Sequence, residues 1–307
     1  MPMKLIKTEK DNELVIERIL HAKNHVLILD RDRCLGCGIC KETCPKEAIE
    51  INVAPKGDEE KAEPPIIEID EQKCHFCGIC YSICPFGAFQ LKVDGEPLIP
   101  VIKTESFPQL IREIKIDTEK CEAGCVECEE ACPLKLIKVS VWTPDGKEVK
   151  DVESWPNKEN LRVDLDLDEE HCPCCRLCEI RCPNDAIQVR KIFLGNLKIN
   201  QEKCPEGCQD CLDVCPIETT LYLSEKGKVH VNELTCIYCG VCKYVCPEEG
   251  ALELQRTNVH HTQVKSGAWN KALEKLASTK EMSKELKAKS LKKTRETVNK
   301  RLSWRSR

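Results

Sequence analysis

The sequence predicts a protein of the α+β class, made of three tandem copies of a small cysteine-rich unit and followed by a basic helical tail. Three observations lead to this prediction. A four-cysteine motif occurs six times, short runs typical of β-strands flank the motifs, and the charge balance changes sign near residue 256. With 25 cysteines but only 4% aromatic residues in 307 positions, the chain has little with which to fill one large core. Small units that gain folding free energy from bound metal fit this composition better.

The cysteines indicate metal binding rather than disulfide bonds. The first twenty residues carry charges throughout and contain no apolar segment, so they do not resemble a signal peptide. No run approaches the roughly 18 apolar residues of a membrane span. In a reducing cytoplasm, many cysteines in an odd number favour metal sites. We therefore expect a cytoplasmic protein without a membrane span.

Six copies of one motif account for every cysteine but one. Four copies read C-x2-C-x2-C-x3-C-P, and the third and fifth read C-x3-C-x2-C-x3-C-P. We number them motifs 1 to 6; they cover Cys34–Pro45, Cys74–Pro85, Cys121–Pro133, Cys172–Pro183, Cys204–Pro216 and Cys236–Pro247. This spacing wraps three thiolates around three corners of a cubane, whereas structural zinc sites usually separate two CxxC pairs by a longer spacer. The motifs therefore predict six [4Fe–4S] clusters.

Glycine and proline occur where such motifs require them. Gly36, Gly38, Gly78 and Gly240 lie in loops whose backbone must approach inorganic sulfide, and glycine has no Cβ to obstruct it. Proline follows every fourth cysteine, where it fixes φ and removes a backbone donor. The opening of motifs 3 and 5 also occurs in radical-SAM enzymes. Each copy here has its fourth cysteine and no barrel-length sequence around it, so we discard that interpretation.

Similarity between motifs indicates how they pair. Motifs 3 and 5 share a C-x-x-G-C opening and the similar lead-ins IKIDTEKC and LKINQEKC, while motifs 4 and 6 share the shorter opening. We therefore expect motif 1 to pair with 2, 3 with 4, and 5 with 6. Nested pairing of motif 4 with motif 5 is the alternative, because few residues separate Cys182 from Cys204.

The pairing predicts which cysteines share a cluster. In bacterial two-cluster ferredoxins, the fourth cysteine of each motif binds the cluster of the other motif. Six crossed sets result, numbered after the motif that supplies the first three cysteines. They are Cys34, Cys37, Cys40 and Cys84 (set 1); Cys74, Cys77, Cys80 and Cys44 (set 2); Cys121, Cys125, Cys128 and Cys182 (set 3); Cys172, Cys175, Cys178 and Cys132 (set 4); Cys204, Cys208, Cys211 and Cys246 (set 5); and Cys236, Cys239, Cys242 and Cys215 (set 6).

One cysteine of motif 4, Cys174, is left over. It is the immediate neighbour of Cys175, so its thiol is poorly placed to reach the same site. We expect Cys174 to be a small, semi-buried apolar residue; a redox-active or partner-facing thiol is the alternative. His75 and His171 lie in and beside cluster motifs. Each either tunes a potential by hydrogen bonding or simply fills its loop, and we favour the second interpretation.

Short β-like runs frame the motifs as in bacterial-type 2[4Fe–4S] ferredoxin domains. HVLILD and IIEID precede motifs 1 and 2, AIEINV and AFQLKV follow them, and TTLYLSEKGKVHVN is typical of a hairpin. The segment between each third and fourth cysteine suits one helical turn. We expect an N-terminal extension (1–24), ferredoxin domains at 25–94, 113–192 and 193–256, a linker at 95–112, and the helical tail at 257–307. The insertions at 54–65 and 142–161 are expected to be surface loops.

The tail differs from the rest of the chain in charge. From Arg256 onward the chain carries 15 basic and 4 acidic residues, whereas the preceding part carries 32 basic and 48 acidic residues. Trp269, Leu273 and Leu276 fall on one helical stripe, and Ser278 with Glu281 forms a capping box. We prefer a clamp laid across an acidic partner or the protein's own acidic body. A solvated basic helix is the alternative, and charge alone does not support nucleic-acid binding.

The motifs favour electron transfer over catalysis. Full cysteine ligation leaves no open iron for a substrate, and neither G-x-G-x-x-G nor G-x-x-x-x-G-K occurs. The seven histidines are scattered and form no acid–base set, so we predict no catalytic residues. We expect a non-catalytic relay subunit. A freely diffusing multi-electron carrier and a scaffold with structural clusters are the alternatives.

Four segments carry information beyond the motifs: HVLILDRDRC, CPFGAF, FPQLIREIKIDTEKCEAGC and VHHTQVKSGAWNKALEKL. With the motifs, they resemble the archaeal polyferredoxins, most of all the F subunit of methanogenic formylmethanofuran dehydrogenase, over nearly the whole chain. The resemblance implies a relay that delivers low-potential electrons to the molybdenum or tungsten enzyme that reduces CO2 in methanogenesis. It implies ferredoxin, hydrogenase or heterodisulfide reductase as the donor. Some relatives carry eight clusters, whereas this chain has six motifs.

Overall fold

The computed structural model describes residues 4–54, 61–264 and 267–277, and strand pairing divides them into three units. In each unit, the strand before the first motif pairs antiparallel with the strand after the second motif. The strands between the two motifs pair with each other. Motifs 1 and 2, 3 and 4, and 5 and 6 therefore share units, which is the tandem order rather than the nested one.

The first unit contains the largest sheet. Its elements are β1 (Lys4–Lys10), β2 (Glu13–Ile19), β3 (Asn24–Asp30), α1 (Ile39–Thr43), β4 (Ile49–Asn52), β5 (Ile66–Ile69), α2 (Ile79–Ile83), β6 (Phe89–Val93) and β7 (Glu96–Pro97). The large sheet has the order β1-β2-β3-β6-β7, and β4 pairs with β5. The sequence assigned residues 1–24 to an extension, whereas β1 and β2 belong to this sheet. Leu14 and Ile16 alternate inward and are fully buried, which explains why the segment packs here.

A linker and the second unit follow. The linker contains α3 (Pro100–Lys103). The second unit consists of β8 (Glu113–Ile116), α4 (Glu127–Glu130), β9 (Ile137–Trp142), β10 (Arg162–Leu167), α5 (Leu177–Arg181) and β11 (Ile187–Arg190), with 3₁₀ turns at Thr118–Lys120, Lys158–Asn160 and Glu169–His171. Its two sheets are β8 with β11 and β9 with β10.

The third unit repeats this order. It consists of β12 (Phe193–Ile199), α6 (Asp210–Asp213), β13 (Leu221–Leu223), β14 (Val229–Val231), α7 (Val241–Val245) and β15 (Leu252–Val259). Strand β12 pairs with β15, and β13 with β14 in the hairpin that the sequence predicted. The equal element order of the second and third units agrees with their similar lead-in sequences.

The start of the basic tail forms α8 (Ala268–Leu276), which packs on the protein itself. Trp269, Ala272, Leu273 and Leu276 are buried on one face, and this face lies against α1 of the first unit. The Trp269 ring meets Phe107 edge-on with centroids 5.3 Å apart. This part of the tail is a clamp on the protein's own body. The predicted capping box at Ser278 and Glu281 and the rest of the tail lie outside the described residues.

Candidate metal centres

The loops of the four C-x2-C-x2-C motifs share one backbone conformation. Each has positive φ at two positions, first at Gly36, Phe76, Cys174 and Tyr238, and then at Gly38, Gly78, Arg176 and Gly240. The second position directly precedes the first residue of α1, α2, α5 and α7. This left-handed backbone turns the loop sharply and explains why glycine fills four of the eight positions.

The conformation also explains the surplus cysteine. Cys174 occupies the loop position that Gly36, Phe76 and Tyr238 fill in the other motifs. Its side chain is fully buried, and its Sγ lies 3.8 Å from the carbonyl oxygen of Cys172. A hydrogen bond with the Cys172 thiol, together with burial, raises the pKa of Cys174 well above its usual value. The structure thus places Cys174 as a small buried residue, deeper than the sequence suggested.

The structure brings each predicted set together across its two motifs. In set 1, burial and then the nearby Cys84 thiol raise the pKa of Cys34, which is about 11. In the other sets the neighbours of the fourth cysteine are likewise the cysteines of the other motif. Cys44 lies beside Cys80, Cys182 beside Cys121, Cys132 beside Cys178, Cys246 beside Cys211, and Cys215 beside Cys242.

Two of the sets surround small, mainly apolar cavities. All four cysteines of set 2 line one cavity together with Leu27, Ile49 and Ile69. All four cysteines of set 3 line another, with Val163 and Leu165 in its wall. Among the described residues, no three cysteine, histidine or carboxylate side chains converge closely enough to hold a single metal ion. Four thiols around an apolar cavity fit the ligand set of a four-iron cubane.

Backbone amides face the fourth cysteine in four of the motifs. The N–H groups of Ala48, Ala88, Leu136 and Ala186 donate to the Sγ atoms of Cys44, Cys84, Cys132 and Cys182 at 3.2–3.4 Å. Such donors stabilise a thiolate and influence the potential of a cluster bound to it. All 25 cysteines are free thiols. Since burial raises the pKa of many of them, iron would displace their protons when it binds.

The three units meet at cysteine loops, and a cation lies at each boundary. Between the first and second units, Arg112 donates from Nη2 to the carbonyl of Cys84 and from Nε to that of Cys172, at 3.1 and 3.0 Å. Between the second and third units, Lys191 Nζ donates to the carbonyl of Cys236 at 2.9 Å. Between the third and first units, Arg256 donates a hydrogen bond to the carbonyl of Cys239 and forms an ion pair with Glu42 of α1.

These contacts define a central junction. Cys37 of set 1 and Cys239 of set 6 lie close enough to perturb each other's charge. Lys191 lies near enough to Cys236 of set 6 and Cys175 of set 4 to interact with both electrostatically. In the described part of the chain, cysteine contacts between units involve sets 1, 4 and 6, which we call the junction sets. Sets 2, 3 and 5 are called the outer sets. Sequence reasoning missed this junction because its contacts join residues far apart in the chain.

The two histidines near motifs occupy different surroundings. His171 Nδ1 lies 2.6 Å from Asp168 Oδ1, and its ring packs against Gly87 of the first unit. A Cβ at Gly87 would lie 2.7 Å from the His171 ring, so this contact needs glycine. His75 is exposed, and its carbonyl accepts from Arg18 at 3.5 Å. His171 therefore helps to join the first two units.

The fold and the cysteine sets define a protein that carries several iron–sulfur clusters. Sequence models of the 4Fe-4S dicluster domain match residues 33–88, 73–137 and 196–247. The second of these matches spans motifs 2 and 3, which strand pairing places in different units. Cysteine spacing alone therefore does not mark the unit boundary. No helix in the described ranges is long and apolar enough to cross a membrane.

Known proteins resemble the chain over different lengths. A chain of the formate dehydrogenase–heterodisulfide reductase–formylmethanofuran dehydrogenase complex of Methanospirillum hungatei is 35% identical, with a TM-score of 0.76 over 90% of this chain and 92% of that chain. A ferredoxin of Methanocaldococcus jannaschii is 34% identical over 26% of this chain and 80% of its own length. The polyferredoxin-like subunit of the aliphatic sulfonate oxidoreductase of Pyrococcus furiosus is 31% identical over 28% of this chain and 55% of its own length.

These similarities establish the family. The chain belongs to the 4Fe–4S ferredoxins and is a polyferredoxin-like member of that family, as its sequence motifs predicted. The chain spans about half the length of the larger curated relatives that it matches.

Proposed function

We propose that the chain is a non-catalytic subunit that relays low-potential electrons through six [4Fe–4S] clusters, one in each crossed cysteine set. The observation that carries this proposal is the junction, where sets 1, 4 and 6 come from three different units: Cys37 lies near Cys239, and Arg112 and Lys191 connect set 4 to sets 1 and 6. A relay needs such contacts, because an electron must pass from the cluster of one unit to that of the next.

Within the first and third units, the outer and junction sets also lie close to each other. Cys80 of set 2 perturbs Cys40 of set 1, and Cys211 of set 5 perturbs Cys242 of set 6. The first and third units therefore each offer a path from an outer set to a junction set. Fully ligated clusters exchange single electrons and leave no iron position for a substrate. The protein supplies the thiolates, the amide donors and the apolar surroundings that tune the potentials.

We further propose that the chain feeds a complex of the formylmethanofuran dehydrogenase type, with molybdenum or tungsten held by the partner. This proposal is supported by the similarity to a chain of the Methanospirillum hungatei complex over almost the whole length. Heterodisulfide reductase, hydrogenase or ferredoxin would supply the electrons. The alternatives are a polyferredoxin of a hydrogenase or heterodisulfide reductase system and a freely diffusing carrier.

Anaerobic affinity purification from the organism that encodes the chain, followed by mass spectrometry, tests the partner. Recovery of a pterin-containing formylmethanofuran dehydrogenase would support the proposal. Recovery of hydrogenase subunits without it would retain the relay and replace its acceptor. A chain that purifies alone would favour the free carrier.

A further inference from the structure

Two positive charges are buried beside the same cysteine loop. Over residues 4–54, 61–264 and 267–277, Lys191 and Arg256 are the charged side chains that are buried, with 8% and 4% exposure. Lys191 comes from the segment between the second and third units, and Arg256 from β15. Burying a cation is unfavourable unless hydrogen bonds compensate for the lost water. Both side chains find those bonds on the loop of motif 6.

Lys191 is held by backbone carbonyls. Its Nζ donates to the carbonyl of Glu233 at 2.5 Å and to that of Cys236 at 2.9 Å. The same ammonium lies 5.1 Å from the centre of the Tyr238 ring. Glu233 accepts this hydrogen bond through its backbone, and its carboxylate lies near enough to act on Lys191 and Cys236 as well.

Arg256 covers the other end of the loop. Its Nε donates to the carbonyl of Tyr238 at 2.9 Å, and its Nη2 donates to that of Cys239 at 2.7 Å. Its Nη1 lies 3.3 Å from the Glu42 carboxylate, whose side chain is 31% exposed. The guanidinium is also 5.6 Å from the centre of the Phe193 ring. The Glu42 carboxylate reaches solvent, whereas the Arg256 guanidinium is buried.

The peptide groups of the loop between the two cations are oriented with their carbonyls toward the cations and two of their N–H groups toward the thiols. The carbonyls of Cys236, Tyr238 and Cys239 accept from the two cations, while the N–H groups of Tyr238 and Val241 face the thiols of Cys236 and Cys239. Peptide dipoles and buried charges thus act in the same sense on set 6. Both favour added negative charge at that site, because a nearby positive charge in a poorly screened interior lowers its free energy.

Set 6 also occupies a central place in the junction. Its Cys239 adjoins Cys37 of set 1, and Lys191 lies between its Cys236 and Cys175 of set 4. A Cβ on Gly240 would lie 3.8 Å from the Cys37 carbonyl oxygen, which shows how closely the two loops approach. Set 6 therefore lies beside set 1 and is connected to set 4 through Lys191.

We propose that Lys191 and Arg256 give the set 6 cluster the highest reduction potential in the chain, so that electrons arriving from any outer set collect there before they leave. This inference rests on the proposed relay function. Each transfer moves one electron: the cluster that donates it is oxidised, the cluster that accepts it is reduced, and no bond or proton changes. Lys191 and Arg256 act on this cluster electrostatically, through the loop carbonyls to which they donate, and neither is a ligand of the cluster.

The test is an anaerobic redox titration of the full-length, cluster-loaded protein, followed by electron paramagnetic resonance. In the unaltered protein, the signal that appears first on reduction should belong to set 6, and Cys236→Ser should alter that first signal. Lys191→Met should make its reduction at least tenfold less favourable, which for one electron is about 59 mV toward negative potential. Lys191→Arg keeps the charge and should restore the original value, which a merely structural role would not do.

Lys228→Met is the matched control. Lys228 Nζ donates to the carbonyl of Cys204 in set 5, but its side chain is partly exposed and its charge is screened. This variant should leave the first signal in place. Glu42→Gln removes the carboxylate that pairs with Arg256 and should move the first reduction toward positive potential. This variant replaces Lys191→Met as the test if Lys191→Met fails to load iron.

Two results would overturn the inference. One is a first signal that survives Cys236→Ser unchanged, and the other is a first potential that moves with neither Lys191→Met nor Glu42→Gln. Iron content separates this failure from failure of the relay itself. A full content of about 24 irons per chain, four for each of six clusters, with an unresponsive first potential removes only the role of the two cations. A deficient iron content in the unaltered protein contradicts the proposed function.

Discussion

Sets 3 and 6 are built by the same fold but lie in different surroundings. Both combine three cysteines of one motif with the fourth cysteine of its partner, in units with the same element order. Cys236, Cys239 and Cys242 of set 6 are each at most 7% exposed. Cys121 of set 3 instead borders an open cleft of about 860 Å³, whose wall comes from residues 118–163 of its own unit.

The difference comes from what covers each site rather than from the motif. Set 6 is covered by the first unit, by the segment that carries Lys191, and by α8, whose Leu276 carbonyl accepts from Arg256 at 3.5 Å. Set 3 faces the cleft directly. Cysteine spacing thus defines a cluster site, while packing between units decides whether the site is enclosed or lies at the surface.

The largest effect is expected from complete removal of iron. Because metal binding is coupled to folding in small cysteine-rich units, it supplies much of their folding free energy. Treatment with a chelator and a mild oxidant should release iron from set 3 first and from set 6 last, and the strands should be lost when release is complete. Iron release and circular dichroism, followed together, measure this. Folded secondary structure in the iron-free chain would contradict the account, as would uniform release.

Single cysteine variants should separate the two sites further. Cys125→Ser in set 3 should cost about four irons, the content of one cubane. Cys242→Ser should cost about eight, because Cys242 adjoins Cys211 of set 5 and the buried site cannot admit solvent in place of a ligand. Iron and sulfide analysis of the purified variants gives the numbers. Equal losses from both variants would show that burial does not distinguish the sites.

A second pair of variants tests the crowded loop of motif 4. Cys174→Ala should retain about 24 irons, whereas Cys175→Ala should retain about 20. The physical reason is that Cys174 occupies the loop position of Tyr238 in motif 6, with its side chain packed in the core. The same iron analysis applies. Equal losses of iron from the two variants would contradict the assignment of Cys175, and not Cys174, as the ligand in set 4.

The smallest effect on iron content is expected from Trp269→Ala in α8. This variant removes a fully buried ring and should lower the free energy of unfolding by about 3–5 kcal/mol. Iron should remain complete, but its release from set 6 should become faster while release from set 3 stays the same. Trp155→Ala is the control, since Trp155 is 38% exposed and its loss should change stability by less than about 0.5 kcal/mol. Equal effects of the two variants would contradict the covering role of α8.

The sequence predicted those features that depend on short stretches of chain. The motif spacing and the glycines at 36, 38, 78 and 240 follow from local backbone requirements, and the tandem pairing follows from repeated lead-ins. Residues 4–19 were missed as strands, because their pairing partner β3 decides their place. The junction was missed for a related reason, since Arg256 meets Glu42 only after three units have packed together. A lysine such as Lys191 carries no local sign that it will be buried.

The ligand sets stay a prediction in one respect, because thiols that adjoin one another become ligands only when iron binds. The most direct test of six redox-active clusters is therefore iron and sulfide analysis of the anaerobically purified full-length protein, joined to a redox titration. We expect about 24 irons and about 24 sulfides per chain, in clusters that accept and return single electrons reversibly. A chain that binds zinc in place of iron, or clusters that no low-potential reductant reduces, would contradict it.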